Sequence, residues 1–358
     1  AIDNVKLNTW LFISDEYNKL KNKLGRIPTY YDFENYDTLD IKKIFEVAGS
    51  YYAFLSKKDR DYSYNGKISK TAENMLNFVS TNLILSKKIE ELILLRLILK
   101  KSQNLEEDFR GVMLTDYTKL IADYELEVSR KILTNNFVTS SVTKKKFNDC
   151  IFLDEYNKVV KPSKELEKEL QSNIFRTLLT ELVEYGIYRY NKYYKSNLYR
   201  DTNFVLYEKY SFEDICKLFS WSINYVPLAI GGYKYDEQTK TLPVFINYDI
   251  DENSFNHDYV HGFLPDTGFT SMSKPRRNLE SRECEYFYKD ETKIYLFMRK
   301  NKDDKDGARI FYFLGEMKTV GKPELVHREK SGDTVLQFFY KLQTPLREDM
   351  YEYFTQEK

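Results

Sequence analysis

FTSMSKPRRNLES (residues 269–281), IYLFMRKNKDDKDGARIFYFLGEMKTV (294–320) and VLQFFYKLQTPLREDMYEYF (335–354) follow one another late in the chain and decide its fold class. Their apolar residues come in short aromatic and β-branched runs broken by turn residues, which is the pattern of strands rather than of helices. Asp306-Gly307 supplies a turn between IYLFMRK and RIFYFLGE. Upstream, Gly231-Gly232 opens YKYDEQTKTLPVFINY (233–248), which reads as a hairpin with a polar turn over Asp236 to Lys240 and a second strand through Val244, Phe245 and Ile246. Strands at this rhythm, with one or two helices inserted, predict a compact, strongly bent sheet or small barrel.

Working back from there, the text becomes helical. YEKYSFEDICKLFSW places Ser211 and Asp214 at capping-box spacing, and Trp221 ends that short helix. From Lys164 to Tyr194, Leu166, Leu170, Ile174, Leu178, Leu182 and Tyr185 recur at spacings of four and three, which predicts one long helix capped by Ser163. Leu92 to Leu99 is apolar nearly all round and belongs at the centre of a helical core. Near the start, helices are expected over Asp15–Leu24, after Thr29 with its capping partner Asp32, and over Leu39–Val47, with Gly49-Ser50 turning into YYAFL. Tight turns between short helices give a helix-turn-helix-like unit. The fold class is therefore α+β, an all-helical N-terminal region followed by a strand-rich domain. The expected division is a small module over 1–60, a helical bundle over 61–200 and the strand-rich domain over 201–358.

Composition narrows the partners. Lysine plus arginine equals aspartate plus glutamate at 55 each, so no global field draws the chain to nucleic acid or an acidic membrane, and anion binding must be local. From Asp201 onward there are 22 basic and 27 acidic residues, which leaves the helical half mildly basic. Cys150, Cys216 and Cys284 are too far apart for a zinc knuckle or a disulfide framework, and a reducing cytoplasm fits them. The longest apolar run is broken by Arg96 and falls short of the ~20 residues of a membrane span.

The densest cationic knot is SMSKPRRNLES, where Lys274, Arg276 and Arg277 lie within four residues beside Ser271, Ser273 and Asn278, kept from regular structure by Pro275. Guanidinium forks match phosphate oxygens or a guanine edge, and hydroxyls and amides hold phosphates without charge. Ser273, Lys274, Arg276, Arg277 and Asn278 are thus the candidate DNA contacts, extended by Arg299, Lys300 and Arg309 if the strands carrying them pair. The competing reading is a surface loop ion-paired to Glu280 or Glu283, with Arg299, Lys300 and Arg309 as solubilising edge charges.

Other constellations are weaker. Glu316-Met317-Lys318 has the E-x-K spacing of a metal-dependent nuclease half-site, but Asp40-Ile41-Lys42, Glu291-Thr292-Lys293 and Asp303-Asp304-Lys305 share it. His257, Asp258 and His261 lack a third fixed ligand, and His327 is isolated. Asn65-Gly66-Lys67 lacks the glycines of a phosphate loop. No catalytic residue, metal ligand or cofactor is assigned to this chain.

From YEKYSFEDICKLFSW near Tyr207 to its end, the chain resembles the domain of unknown function that closes many bacterial DEAD/DEAH-box helicases, chains that often also carry a phospholipase-D-type nuclease. Looser similarity reaches back to Glu16 and fits the helical region preceding that domain. LGRIPTYYDF with IFEVAGSYYAFL is similar to a small DNA-binding repeat found beside homing and HNH endonucleases, with Tyr51 where tryptophan is usual. The resemblance implies a helicase tail, a piece of a longer protein as the opening Ala1 also suggests, whose partners are duplex DNA, modified bases included, and the parent's motor and nuclease. ATP and Mg²⁺ are then expected only at that motor. By fold-level analogy the strand-rich half is suspected to be PUA-like. A scaffold joining helicase and nuclease without touching nucleic acid is the alternative, and a metal-dependent nuclease domain a more distant one.

Overall fold

A computed structural model describes residues 2–137, 141–154, 159–222, 232–248, 262–264, 267–300, 310–328 and 332–356. The chain divides into two compact units, Ala1–Ser196 and Asn197–Lys358. The first is helical and the second is built on a mixed sheet, which establishes the α+β class.

The helical unit begins with α1 (Ile2–Leu24), longer than expected because no glycine or proline interrupts the residues before Asp15. α2 (Tyr30–Phe33) starts as predicted: the Thr29 backbone N–H donates to Asp32 Oδ2 at 2.6 Å. α3 (Ile41–Ala48) and α4 (Tyr51–Lys58) are joined by Gly49, whose φ of +90° is open to glycine at low cost, and Ser50 accepts from the Ala53 N–H as the cap of α4. α5 (Lys70–Phe78) widens into a π-helical turn over Val79–Ile84. Ser80 and Thr81 there donate their hydroxyls to the carbonyls of Leu76 and Asn77, a local competition that loosens regular helix.

α6 (Glu90–Leu99) is central, as its apolar circumference requires, and packs between α7 (Leu105–Tyr117), α8 (Asp123–Leu133) and α11 (Asn173–Tyr193). Its first turn carries charge into the interior. Lys88, Glu90 and Glu91 are buried with it, Lys88 donating to Glu91 and to Ser129 Oγ at 3.1 Å, and Lys119 reaching Glu90 at 2.5 Å. A short α9 (Ser141–Lys146) follows. The helix expected over Lys164–Tyr194 is two: α10 (Lys164–Glu169), capped by Ser163, and α11, capped by Ser172. The second serine cap, not the apolar period, sets the break, because it satisfies the first N–H groups of α11 only if the chain turns there.

The module expected over 1–60 is tied into the same unit as the bundle. Glu34, just past α2, accepts from Tyr185 Oη at 2.6 Å, Arg189 Nη1 at 3.2 Å, Lys192 Nζ at 2.9 Å and Tyr193 Oη at 2.6 Å, all on α11. Gly186 lets α11 lie against the π-helical turn, since a Cβ there would stand 2.8 Å from Ile84 Cγ1.

In the second unit, β1 (Lys209–Ser211) leads into α12 (Phe212–Leu218), whose Ser211–Asp214 capping box forms as read from the sequence. Trp221 is buried beyond it and donates from Nε1 to Thr241 Oγ1 at 2.8 Å. The remaining elements are β2 (Thr241–Asn247), β3 (Gly262–Leu264), β4 (Gly268–Met272), α13 (Arg282–Tyr288), β5 (Lys293–Arg299), β6 (Ile310–Thr319), β7 (Glu324–His327), β8 (Thr334–Leu342) and α14 (Glu348–Thr355). The sheet order is β2-β5-β6-β8-β4-β3, with β1 added to β6 and β7 to β8. β5 and β6 pair antiparallel as expected, while the turn at Asp306-Gly307 lies outside the described residues.

The hairpin expected over 233–248 is reduced to two antiparallel bridges, Tyr233 with Val244 and Asp236 with Thr241. The main partner of β2 is instead β5, in parallel, from Thr241 opposite Lys293 to Asn247 opposite Arg299. Tyr248, just beyond β2, stacks on Phe263 of β3 at 5.7 Å, so the two ends of the sheet curl round to meet. That is the strongly bent sheet predicted, closed by side chains over a core that includes Leu296, Leu314, Phe338 and Phe354.

Candidate nucleic-acid interface

The loop of residues 273–278 leaves the end of β4 and is pinned to β8 before it turns outward. Ser273 N–H donates to the Leu336 carbonyl at 2.7 Å, and Leu336 N–H returns to Ser273 Oγ at 2.9 Å. Ser271 and Ser273 are both 2% exposed; the Ser271 hydroxyl pairs with Tyr340 Oη at 3.0 Å. These hydroxyls fasten the loop rather than face solvent. Asn278 is occupied too, its Oδ1 accepting from Glu280 N–H and Ser281 Oγ, both at 3.1 Å, in the turn that leads into α13.

The cations are held in three different ways. Lys274 lies half-buried with Nζ 4.7 Å from the centre of the Tyr233 ring; burial, aided by Lys234 and Arg277, outweighs the pull of Glu283 and lowers its pKa below the ordinary lysine value. Arg277 grips Glu283 with two bonds, Nε to Oε2 at 2.6 Å and Nη2 to Oε1 at 3.2 Å, while Tyr233 donates to the same Oε2 at 2.8 Å. Arg276 is the outlier. Its φ is +62°, its N–H is fixed to the Thr334 carbonyl at 2.9 Å, and its side chain is 84% exposed, with a single 3.4 Å contact among the described residues, from Nε to Asp333 Oδ1. An exposed pair of that length contributes ~0–1 kcal/mol, so the guanidinium is readily surrendered to a stronger anion.

Asp333 also binds Arg328 Nη2 at 3.1 Å through Oδ2, which brings the end of β7 and the start of β8 beside the loop. Sequence reading missed Arg328, which stands about fifty residues away and joins the site only through strand pairing. Among the described residues, the ion pairs given for these cations run from Arg277 to Glu283 and from Arg276 and Arg328 to Asp333, and Lys234 lies close enough to Lys274 to repel it. Of the loop's three cations the most accessible is Arg276.

Arg299 and Lys300 do not join this cluster. β4 is antiparallel to β8, β8 to β6, and β6 to β5, so the ends of β4 and β5 that carry Lys274 and Arg299 point in opposite directions. Arg299 lies over the Phe311 ring and donates from Nε to Asn247 Oδ1; Lys300 donates to the carbonyls of Tyr353 at 3.0 Å and Gln356 at 2.6 Å, closing the last turn of α14. Arg309 lies outside the described residues, as do His257, Asp258 and His261. On β6, Glu316 is ion-paired to Arg200 at 2.8 Å. Among the described residues no group of three or more His, Cys, Asp or Glu could hold a metal ion, and no helix is long and apolar enough to cross a membrane.

Two family models match the chain, and their limits fall close to those of the two units: a domain of unknown function (DUF8090) over residues 13–195 and a domain of unknown function (DUF3427) over residues 204–354. The chain belongs to the DUF8090 family. The DUF3427 domain carries the loop and begins near the Tyr207 boundary read from the sequence; neither description names a helicase. No curated protein matches. Among solved structures, the chain is similar to the DNA recognition domain of the cytosine modification-dependent restriction endonuclease LpnPI, at 12% identity and a TM-score of 0.29, over 43% of this chain and 79% of that one. It is also similar to KRYPTONITE in complex with mCHG DNA and SAH, at 10% identity and a TM-score of 0.27, over 78% of this chain and 45% of that one. Overlaps of this size carry no function from one chain to the other.

Proposed function

We propose that this chain is the accessory and DNA-recognition region of an ATP-dependent DNA helicase-nuclease that acts against foreign DNA in bacteria. Its strand-rich domain, a small bent sheet of PUA-like kind, reads the duplex, and its helical unit joins the motor; ATP and Mg²⁺ belong to that motor. The observation that carries the reading is the presentation of Arg276, 84% exposed and weakly paired, beside Lys274 and Arg277 on a loop whose backbone is fastened to β8. Fixing the backbone in advance leaves only side-chain freedom to be lost when a phosphate or a guanine edge is gripped, and that favours recognition over a loose electrostatic encounter.

A scaffold role has its own support in the Arg277–Glu283 fork, which occupies one of the three cations read from the sequence. A mobility-shift titration of the whole chain against short duplexes at low salt separates the two. A retarded complex is expected for DNA recognition, and free duplex at micromolar protein would leave the scaffold.

A further inference from the structure

The chain is neutral overall, yet one corner of the helical unit is not. Residues 128–148 contain Arg130, Lys131, Lys144, Lys145 and Lys146 and no aspartate or glutamate. The rest of residues 1–196 holds 27 basic and 28 acidic residues, so the positive surplus of the unit resides in this one stretch. The fold gathers it. Asn135, just past α8, donates from Nδ2 to the carbonyls of Lys144 at 3.4 Å and Phe147 at 2.9 Å, which staples the end of α9 to the end of α8. Phe147 is 3% exposed and meets Phe78 edge-on at 5.4 Å, so the turn is anchored in the core.

Within the corner, Arg130 is committed to Glu127 at 2.9 Å. Lys146 lies with Nζ 4.9 Å from the Phe147 ring centre, and Lys144 and Lys145 are exposed with no acidic partner among the described residues. Three successive lysines on a helical turn point about 100° apart, so they fan over a surface instead of converging on one small anion. A fan of compact ammonium charges suits an extended polyanion with charges at short regular intervals, which is what a duplex backbone offers.

We propose that Lys144, Lys145 and Lys146 form a second DNA contact, a sequence-independent clamp on the sugar-phosphate backbone of duplex DNA. This rests on the DNA reading above. The test compares the whole chain with its Lys144→Gln/Lys145→Gln/Lys146→Gln variant by fluorescence anisotropy on a labelled duplex across a salt series. Every phosphate that the variant leaves unneutralised should flatten the plot of log K against log salt by about 0.9, so a decrease of up to roughly 2.7 is expected, equal for duplexes of unrelated sequence. The triple Lys→Arg variant should keep the wild-type slope.

A triple Gln variant with unchanged slope, while Arg276→Ala still alters it, overturns the clamp and leaves DNA recognition standing. Failure of the wild-type chain to bind duplex at all overturns both. An unchanged DNA slope with weakened binding to vesicles of anionic phospholipid would assign the corner to a membrane surface, again against the proposal.

Discussion

Glu283→Gln should make this chain bind duplex DNA more tightly, and the structure says by how much. Glu283 holds Arg277 through bonds of 2.6 and 3.2 Å and accepts from Tyr233 at 2.8 Å. Glutamine keeps the shape and one carbonyl acceptor for Tyr233, but removes the charge. A phosphate arriving at Arg277 would stand roughly 5 Å from the Glu283 carboxylate, a repulsion of about 1 kcal/mol in water-like surroundings. Its loss therefore predicts roughly fivefold tighter binding. Because Arg277 becomes free to take a phosphate, the salt dependence should also steepen by about 0.9 in log–log slope. Fluorescence anisotropy of the full chain with a labelled duplex, at several salt concentrations, reads both quantities. Binding that stays the same or weakens, with an unchanged slope, would refute the idea that Glu283 competes with DNA for Arg277.

Two further predictions concern the helical unit. Gly186→Ala gains about 1 kcal/mol of helix propensity but drives a Cβ to 2.8 Å from Ile84 Cγ1, and overpacking costs about 1–3 kcal/mol, so a net loss near 1 kcal/mol and a Tm lower by roughly 2–4 °C are expected in a thermal melt; a raised Tm would contradict the packing argument. Glu34→Ala removes the acceptor shared by Tyr185, Arg189, Lys192 and Tyr193, although Arg189 keeps its 2.9 Å bond to Asp40, and should cost about 2 kcal/mol, a drop of roughly 4–8 °C. Burial opposes the Glu34 charge, but hydrogen bonds from Tyr185, Tyr193 and Lys192, with Arg189 nearby, more than compensate and lower its pKa. The folded state then binds that proton less readily than the unfolded chain. The wild-type advantage over Glu34→Ala should be complete above the ordinary carboxylate value of 4.5 and fade as pH falls through the lowered one. Equal Tm values for the two proteins at neutral pH would dismiss the network.

What could be read in advance was local. Thr29 with Asp32 and Ser211 with Asp214 cap helices within four residues of themselves, so their spacing alone specifies the bonds. The apolar circumference of Leu92–Leu99 likewise required burial. The parallel pairing of β2 with β5 escaped, because it joins segments some fifty residues apart and nothing in either strand names its partner. For the same reason Arg299 and Lys300 looked like surface cations, although Asn247 and the end of α14 claim them. Nothing in the local sequence marks Lys88, Glu90 and Glu91 for burial, since burial of a charge depends on which helices close over it. In the candidate interface Lys274, Arg276 and Arg277 were legible by density and Glu283 as one of two nearby acids, whereas Lys234, Arg328 and Asp333 join the loop only through the fold.

Arg276, on a fastened loop of a neutral protein, is the residue proposed to grip DNA. The most direct test is the salt-resolved affinity of the full chain and of Arg276→Ala for one duplex. Arg276 makes only a weak, exposed contact, so the substitution should leave Tm within about 2 °C while flattening the log–log slope by about 0.9 and weakening binding severalfold at low salt. Identical affinity and slope for the two proteins would contradict the account.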